Sequence, residues 1–459
     1  PGLVGEERRP PRRSDNRLAQ RWRAVEDGAR EALAGSAATL TVLRPAPVPV
    51  AGGDDLFSRA FGPGRLVPTP FGYDPPLQLL AADDLIAAVA RALAARRTGT
   101  YHVAPAAVVP LRKAVKAAGK RRLPLPLRLQ RPVRRLLARR GLAAPAEQLP
   151  YLAHPSTVSG ARIAAELGFR PRATSFEALC ELRGTPAAGP PPSYDDFGLD
   201  KGYVGRLGRT LFAFLHDVYW RVEWQGLEHV PRRGRAVLAG VHRGFMPWDG
   251  VMLMHLIVRQ LGRYPRFLIH PALVKPPILA PYMTKLGGLL ACRDNAAWVL
   301  EREHLLGIFP EGIQGAFSRY RNAYRLRRFG RDDYVKIALR HQAPIVPFVT
   351  VGSAEVFPIL GKIRWRWWER LSGWPCLPLT PTLGLVPHPS KWHTQFLQPL
   401  EVAGRYPPEA AADPAVVRRL SQAVRRRMEK ALAEMLRRRR SIFYGSIFTS
   451  RPVLEEKVA

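Results

Sequence analysis

The stretch Val237-Leu-Ala-Gly-Val-His-Arg-Gly-Phe-Met-Pro-Trp-Asp-Gly250 carries one histidine, His242, out of a β-branched and apolar run. A Gly/Pro-containing turn then leads to one aspartate, Asp249. An imidazole titrates near neutrality and can take the proton of a hydroxyl, which is otherwise a weak nucleophile. A carboxylate that accepts from the other ring nitrogen fixes the tautomer and stabilises the imidazolium as it forms. A lone histidine on an apolar strand is more often a satisfied core residue. The pair alone decides nothing; its company along the chain must.

The elements around it follow an alternating plan. Downstream of residue 196, strand-like runs ("AVLAGV", "LLGIFP", "APIVPFVTV") alternate with helical ones ("PWDGVMLMHLIVRQL", "DDYVKIALRH"). Upstream, short apolar strands alternate with Ala-rich stretches such as "LIAAVARALAARR" (85–97). The alternation predicts an α/β fold in both halves. Pro, Gly and Ala replace periodic sequence at "RGTPAAGPPPSYDD", which reads as a linker over 183–196. The expected organisation is one domain over 1–182, the linker, a second domain over 197–412, and a basic C-terminal helix and tail over 413–459. The helix over 413–440 has one apolar stripe and reads either as a membrane anchor or as a solvated face. The chain opens on Pro1 and not on Met, which leaves open whether its N-terminus is complete and any reading of targeting with it.

Composition narrows the classes. Apolar content of 46% and charged content of 24% are ordinary for a globular protein, whereas a net charge of +34 is not. Charge of that size draws nucleic acid, anionic membranes or phosphorylated substrates, although scattered arginines also follow coding bias. Cys180, Cys292 and Cys376 lie far apart without metal-ligand spacing, which predicts a reduced cytoplasmic protein and no bound metal. No apolar run reaches the roughly 18 residues that span a bilayer. The segment "KIRWRWWERLSGWP" (362–375) interleaves Arg and Trp, a pattern that suits docking at an anionic membrane interface. The same pattern also suits stacking on single-stranded nucleic acid or plain core packing, but no nucleic-acid motif accompanies it.

Four blocks stand in order: "VHRGFMPWDG" (241–250), "GGLLACRDNAAWVLERE" (287–303), "LLGIFPEGIQGAF" (305–317) and "APIVPFVTVGSAEVFP" (343–358). With the lead-in over 211–240, they resemble the glycerolipid (lysophospholipid) acyltransferase family, 1-acylglycerol-3-phosphate acyltransferase-like, over about 195–400. The resemblance implies a central mixed β-sheet wrapped by helices. It implies transfer of a fatty acyl group from acyl-CoA or acyl carrier protein, as co-substrate without a further cofactor, to a lipid hydroxyl. By that resemblance His242 is the general base and Asp249 its partner. Gly287 and Arg293 match the second block, where a guanidinium grips phosphate. Phe309, Pro310, Glu311 and Gly312 form the third, where a carboxylate binds the acceptor's hydroxyls. Pro344 and Pro347 bracket a strand that walls the acyl site. The His-to-Asp spacing is longer than the common H-x-x-x-x-D and fits a branch with a Gly/Pro turn, here Gly244 and Pro247. Ile313 and Gln314 stand where the family often has Thr and then a cation; Arg319, Arg321 and Arg325 lie close downstream as substitutes. Cys292 reads as a small apolar filler. The implied site is an enzyme peripheral to the inner face of the membrane, with an acyl donor, a lipid acceptor and an anionic surface as partners.

The N-terminal half resembles a different family. "LRPAPVPVAGGDDLFSRAF" (43–61), "PLQLLAADDLIAAVARAL" (76–93), "GTYHVAP" (99–105) and "AAELGFRPRATSFEALCEL" (164–182) are similar to the substrate-side part of extended short-chain dehydrogenases and NAD-dependent epimerases. That chemistry needs a Gly-rich strand-turn-helix and a Tyr-x-x-x-Lys pair. No such glycine motif occurs, and Leu18 and Trp22 stand at the two positions. The half therefore reads as an α/β epimerase-like remnant. Two alternatives to the acyltransferase remain: an oxidoreductase whose nucleotide-binding half lies upstream, and a non-catalytic lipid-binding scaffold.

Overall fold

A computed structural model describes residues 2–4, 6, 17–105, 107–126, 151–153, 156–184, 194–195, 197–274, 279–326, 329 and 332–448. Most of the expected linker (185–193 and 196) and the end of the tail (449–459) lie outside the described residues. The chain separates into two compact units, one of Pro1–Gly202 with Pro276–Leu286 and one of Tyr203–Lys275 with Gly287–Ala459.

The first unit is α/β, built on small paired ladders: Thr41–Pro45 lies parallel to Gly99–Val103, and Leu66–Pro70 parallel to Arg121–Leu125. Two apolar clusters hold it. One packs Leu56, Phe61 and Leu79 with Leu111 and Leu179; the other packs Leu80, Tyr101 and Val103 with Ile163. Leu18 and Trp22 lie on the helix Arg17–Ala32. Trp22 is 62% exposed, so the position of the expected lysine holds an indole without a titratable group.

The second unit holds the strands β1 (Glu223–Gln225), β2 (Ala236–Gly240), β3 (Arg266–Ile269), β4 (Leu289–Leu290), β5 (Leu305–Ile308), β6 (Ile345–Val351), β7 (Gly361–Ile363), β8 (Leu377–Leu379) and β9 (His393–Phe396). Seven of them form a mixed sheet in the order β4-β3-β5-β2-β6-β9-β1, and β7 and β8 form a separate hairpin. β2 runs parallel to β5 and to β6, with Val237 opposite Leu306 and Ile345. β9 joins β6 antiparallel, pairing Phe396 with Phe348. β2 and β6 are buried at every position. Central parallel strands covered on both faces have no solvent side, which is why they read as unbroken apolar runs.

The helices used below are α1 (Trp248–Leu261), α2 (Arg293–Glu301), α3 (Gly312–Ala316), α4 (Asp333–Arg340), α5 (Arg366–Ser372) and α6 (Pro414–Arg438). α1 buries Val251, Met252, Leu253, Met254, Leu256 and Ile257 and so is apolar nearly all round, as a core helix is. α6 starts where the Asp413 side chain accepts the N–H groups of Ala415 and Val416, with Pro414 in its first turn. Its Val417, Leu420, Val424, Met428, Leu432 and Met435 are buried at helical spacing, and the helix packs on β6 and α4. That apolar stripe is committed to the core. What α6 leaves exposed is its arginine face, including Arg418, Arg419, Arg426 and Arg427.

Candidate active site

β2 stops at Gly240 and the chain continues through Val241 to His242, at the carboxyl end of the central parallel strands. Open α/β sheets seat their ligands at that edge. The turn that follows, with Gly244 at φ +83°, leads into α1 and puts Asp249 in that helix's first turn. Nδ1 of His242 lies 2.7 Å from Oδ2 of Asp249. The same oxygen accepts the Arg243 backbone N–H at 2.9 Å, and Oδ1 accepts that of Gly250 at 2.8 Å. Both carboxylate oxygens are therefore held in place. With Nδ1 donating to the carboxylate, the neutral ring carries its lone pair on Nε2. The aspartate side chain keeps 2% of its surface and the histidine 13%, so the orienting group is sealed while the ring is not. Phe309, just past β5, stacks on the imidazole with centroids 4.8 Å apart and itself stacks on Phe267 at 5.8 Å.

Next to the pair lies an ion pair that the sequence did not reveal. Arg243 Nη1 donates to Glu311 Oε2 at 2.5 Å and Nη2 to Oε1 at 3.3 Å. Nη1 also reaches the His242 carbonyl at 2.7 Å, Nε the Ala323 carbonyl, and Nη2 the Arg325 carbonyl at 3.3 Å. One guanidinium thus ties three stretches together: the histidine turn, the Phe-Pro-Glu-Gly turn and residues 323–325. A Cβ on Gly315 would come within 2.7 Å of Glu311 Cβ, so α3 passes over this pair only because the residue is glycine. Glu311, expected to face the acceptor's hydroxyls, has no exposed side-chain surface here, and its carboxylate is the counter-ion of Arg243. A buried charge left without its partner is costly, which is the physical reason the two are found together. The one available signal was Arg243 itself, a cation placed directly at the mouth of a buried strand.

The structure brings His242, Asp249 and Phe309 into contact and joins Glu311 to them through Arg243. Pro310 is buried in the turn. Gly287 and Gly312 take φ of +88° and +57°, so both serve the backbone path. Pro344 offers its carbonyl to Val237 N–H at 2.9 Å, and Pro347 stands opposite Ala239 in the β2–β6 ladder, both beside the strand that delivers His242. Arg293 is different: it opens α2 with its side chain 68% exposed and meets Asp333 only at 3.8 Å. Cys292 is half-buried at the N-cap of the same helix. Arg325 contributes a backbone carbonyl to Arg243, whereas Arg319 and Arg321 line a cavity of about 540 Å³ with Asn322, Lys362 and Arg364.

Residues 221–351 match the sequence profile of the family described as Acyltransferase. An uncharacterised protein of Mycobacterium tuberculosis is 36% identical over 261 residues, covering 55% of this chain and 72% of that protein. Phytyl ester synthase 1, chloroplastic, of Arabidopsis thaliana is 24% identical, covering 56% of this chain and 40% of that one. Among solved structures, the 1-acyl-sn-glycerophosphate acyltransferase of Thermotoga maritima is similar at 19% identity over 52% of this chain and 80% of that chain, with a TM-score of 0.35. The UDP-N-acetylglucosamine 4-epimerase of Bacillus cereus is similar at 13% identity over 36% of this chain and 52% of that chain, with a TM-score of 0.25.

Proposed function

The chain belongs to the acyltransferase family, and we propose that its C-terminal unit moves a fatty acyl group from acyl-CoA or acyl carrier protein to a lipid hydroxyl. One observation carries the mechanism: His242 Nδ1 lies on a sealed, doubly anchored Asp249 carboxylate at 2.7 Å, at the ligand-binding edge of the sheet. Nε2 takes the proton as the acceptor oxygen attacks the thioester carbonyl. The tetrahedral intermediate then expels the thiolate, which recovers that proton from the imidazolium. No thiol of the protein is needed. Arg243 and Glu311 act through the turn that they brace, and Arg293, exposed on α2, is the cation offered to phosphate of an incoming substrate.

The acceptor these residues favour is a glycerolipid, lysophospholipid or long-chain alcohol hydroxyl without a phosphate gripped by the third block. Ile313 and Gln314 follow Gly312 where a cation would serve that phosphate, and a relative is named for the synthesis of a phytyl ester. Among the described residues no helix is long and apolar enough to cross a membrane. Our reading is an enzyme at the cytoplasmic face that collects its acceptor from an anionic surface. The test is thiol release from acyl-CoA by purified protein with a lipid alcohol present, compared with His242→Ala. Release that needs the alcohol and disappears in the variant supports the reading. No release with any acyl donor and acceptor, from protein that still binds lipid, overturns it in favour of a scaffold.

A further inference from the structure

An acceptor held in a bilayer must be met there, and one lobe of the C-terminal unit carries what such a surface selects. β7 and β8 pair antiparallel, with Gly361 opposite Leu379 and Ile363 opposite Leu377. Tyr320 N–H on the Ile359 carbonyl at 2.9 Å fastens this hairpin to the arginine-rich segment after α3. Side chains alternate along a strand. Lys362 and Arg364 accordingly share the side that, with Arg319, Arg321 and Asn322, lines the cavity of about 540 Å³. Ile363 and Trp365 take the other side. Ile363, Trp365 and Trp367 are all about half exposed, the two indoles lie 5.2 Å apart, and Leu383 and Leu385 farther along the lobe are more than three-quarters exposed. Single exposed apolar residues need no explanation, but a cluster of this kind does.

The charge is as one-sided as the apolar surface. Residues 312–328 contain five arginines and no acid, and Glu369 is the only acid in 359–386. No acidic side chain pairs with Arg319, Arg321 or Arg364 among the described residues. The lobe is also joined to the catalytic turn. Trp374 packs on Phe245 at 5.5 Å and on Phe317 at 5.8 Å, and Phe245 lies between His242 and Asp249.

We propose that the lobe over 359–386, with Arg319 and Arg321, is the surface by which this chain docks on an anionic phospholipid bilayer. Headgroup phosphodiesters enter the cavity between Arg319, Arg321, Lys362 and Arg364, while Ile363, Trp365 and Trp367 settle at the headgroup–acyl boundary. The docking deepens the proposed function by naming where the acceptor is collected, and what it serves rests on that reading. The binding itself does not.

The experiment is sedimentation of the full chain with phosphatidylcholine vesicles, with and without phosphatidylglycerol. The wild type should bind the anionic vesicles and release them as salt is raised. Arg319→Ala with Arg364→Ala should weaken anionic binding by roughly fivefold per arginine and leave phosphatidylcholine binding unchanged. Trp365→Ala with Trp367→Ala, both on the surface, should weaken binding to both vesicles and retain the anionic preference. Wild-type protein that ignores phosphatidylglycerol overturns the proposal, as does an arginine variant that binds like wild type. Equal displacement by inorganic phosphate at low concentration means a soluble-anion site and also overturns it. So does single-stranded RNA binding that the arginine variant loses in place of vesicle binding. His242→Ala should sediment as wild type does, so loss of turnover and loss of docking are read separately.

Discussion

His242 and His216 each present Nδ1 to an aspartate, at 2.7 and 2.8 Å, in the same unit of the same chain. Their surroundings are opposite. Asp249 is sealed and held by two backbone N–H groups, and the ring it orients sits at the strand edge with some surface left. Asp217 is well exposed and shared with Arg259, which donates to both of its oxygens at 2.8 Å. His216 is the buried member, its Nε2 has no hydrogen-bond partner among the described residues, and its ring packs on Trp224 and His255. In the first pair the protein orders the carboxylate and leaves the imidazole able to work. In the second it buries the imidazole and lets the carboxylate serve the surface. A His–Asp hydrogen bond of good length is thus no evidence of catalysis. What discriminates is which partner is immobilised and which is accessible.

The comparison breaks most sharply in turnover. His242→Ala should lower acceptor-dependent thiol release by roughly 10²–10⁴-fold, the range for a lost general base. His216→Phe, which keeps a flat ring of somewhat larger size at that place, should change it by less than about twofold, within what a structural substitution does. Equal losses in the two variants would mean that both histidines act structurally. Asp249→Asn and Asp217→Asn extend the test to the carboxylates. The first should cost roughly 10²-fold or more in kcat with KM little changed, because an amide no longer fixes the tautomer. The second should be silent in both.

The next effect is on stability. Glu311→Ala leaves Arg243 buried without its counter-ion and should destabilise the C-terminal unit by about 3–5 kcal/mol. The corresponding change at an exposed pair, Asp217→Ala against Arg259, should cost no more than about 1 kcal/mol. Denaturant midpoints at neutral pH measure both. A small effect at Glu311 would show that the guanidinium's carbonyl contacts to His242, Ala323 and Arg325 satisfy it unaided.

How far these arrangements could be read from the chain follows from their range in sequence. β2, β5, β6 and α1 are legible because apolar runs and helical spacing are local signals. His242 and Asp249 are legible because only six residues lie between them. Phe309 and Gly312 come with their block. The Arg243–Glu311 pair spans 68 residues, and nothing local marks either as the other's partner. The sequence therefore linked Glu311 to the acceptor and gave no sign of its pairing with Arg243. The cavity formed by Arg319 and Arg321 with Lys362 and Arg364 has the same character: two basic stretches that only the hairpin's docking on residue 320 brings together. Arg293 opens an exposed helix, a placement its motif did not give, because a block match specifies a residue and not its contacts.

The smallest expected effect returns to the buried histidines. Burial, with the neighbouring His216 and Arg259 charges adding to it, pushes His255 down to about 4. Burial chiefly does the same to His393, also to about 4, and lowers His216 against the pull of Asp217. A histidine whose folded pKa lies below its unfolded one takes up its proton more readily when the chain unfolds. Between about pH 6.5 and pH 4 the unfolded state therefore holds more protons, and stability falls as pH falls through that window; above it the contribution is flat. His255 and His393 should each contribute about 1–3 kcal/mol to the loss across the full window, and part of that by about pH 5, and His216 adds to it in the same direction. His255→Phe removes one and should make the acid-induced drop shallower. Nine of the ten tryptophans lie in the C-terminal unit, so their fluorescence follows its denaturant transition at about pH 8 and about pH 5. Equal drops in wild type and variant would show that His255 keeps its ordinary affinity for the proton. The contrast with the strand-edge pair would then have to rest on accessibility alone.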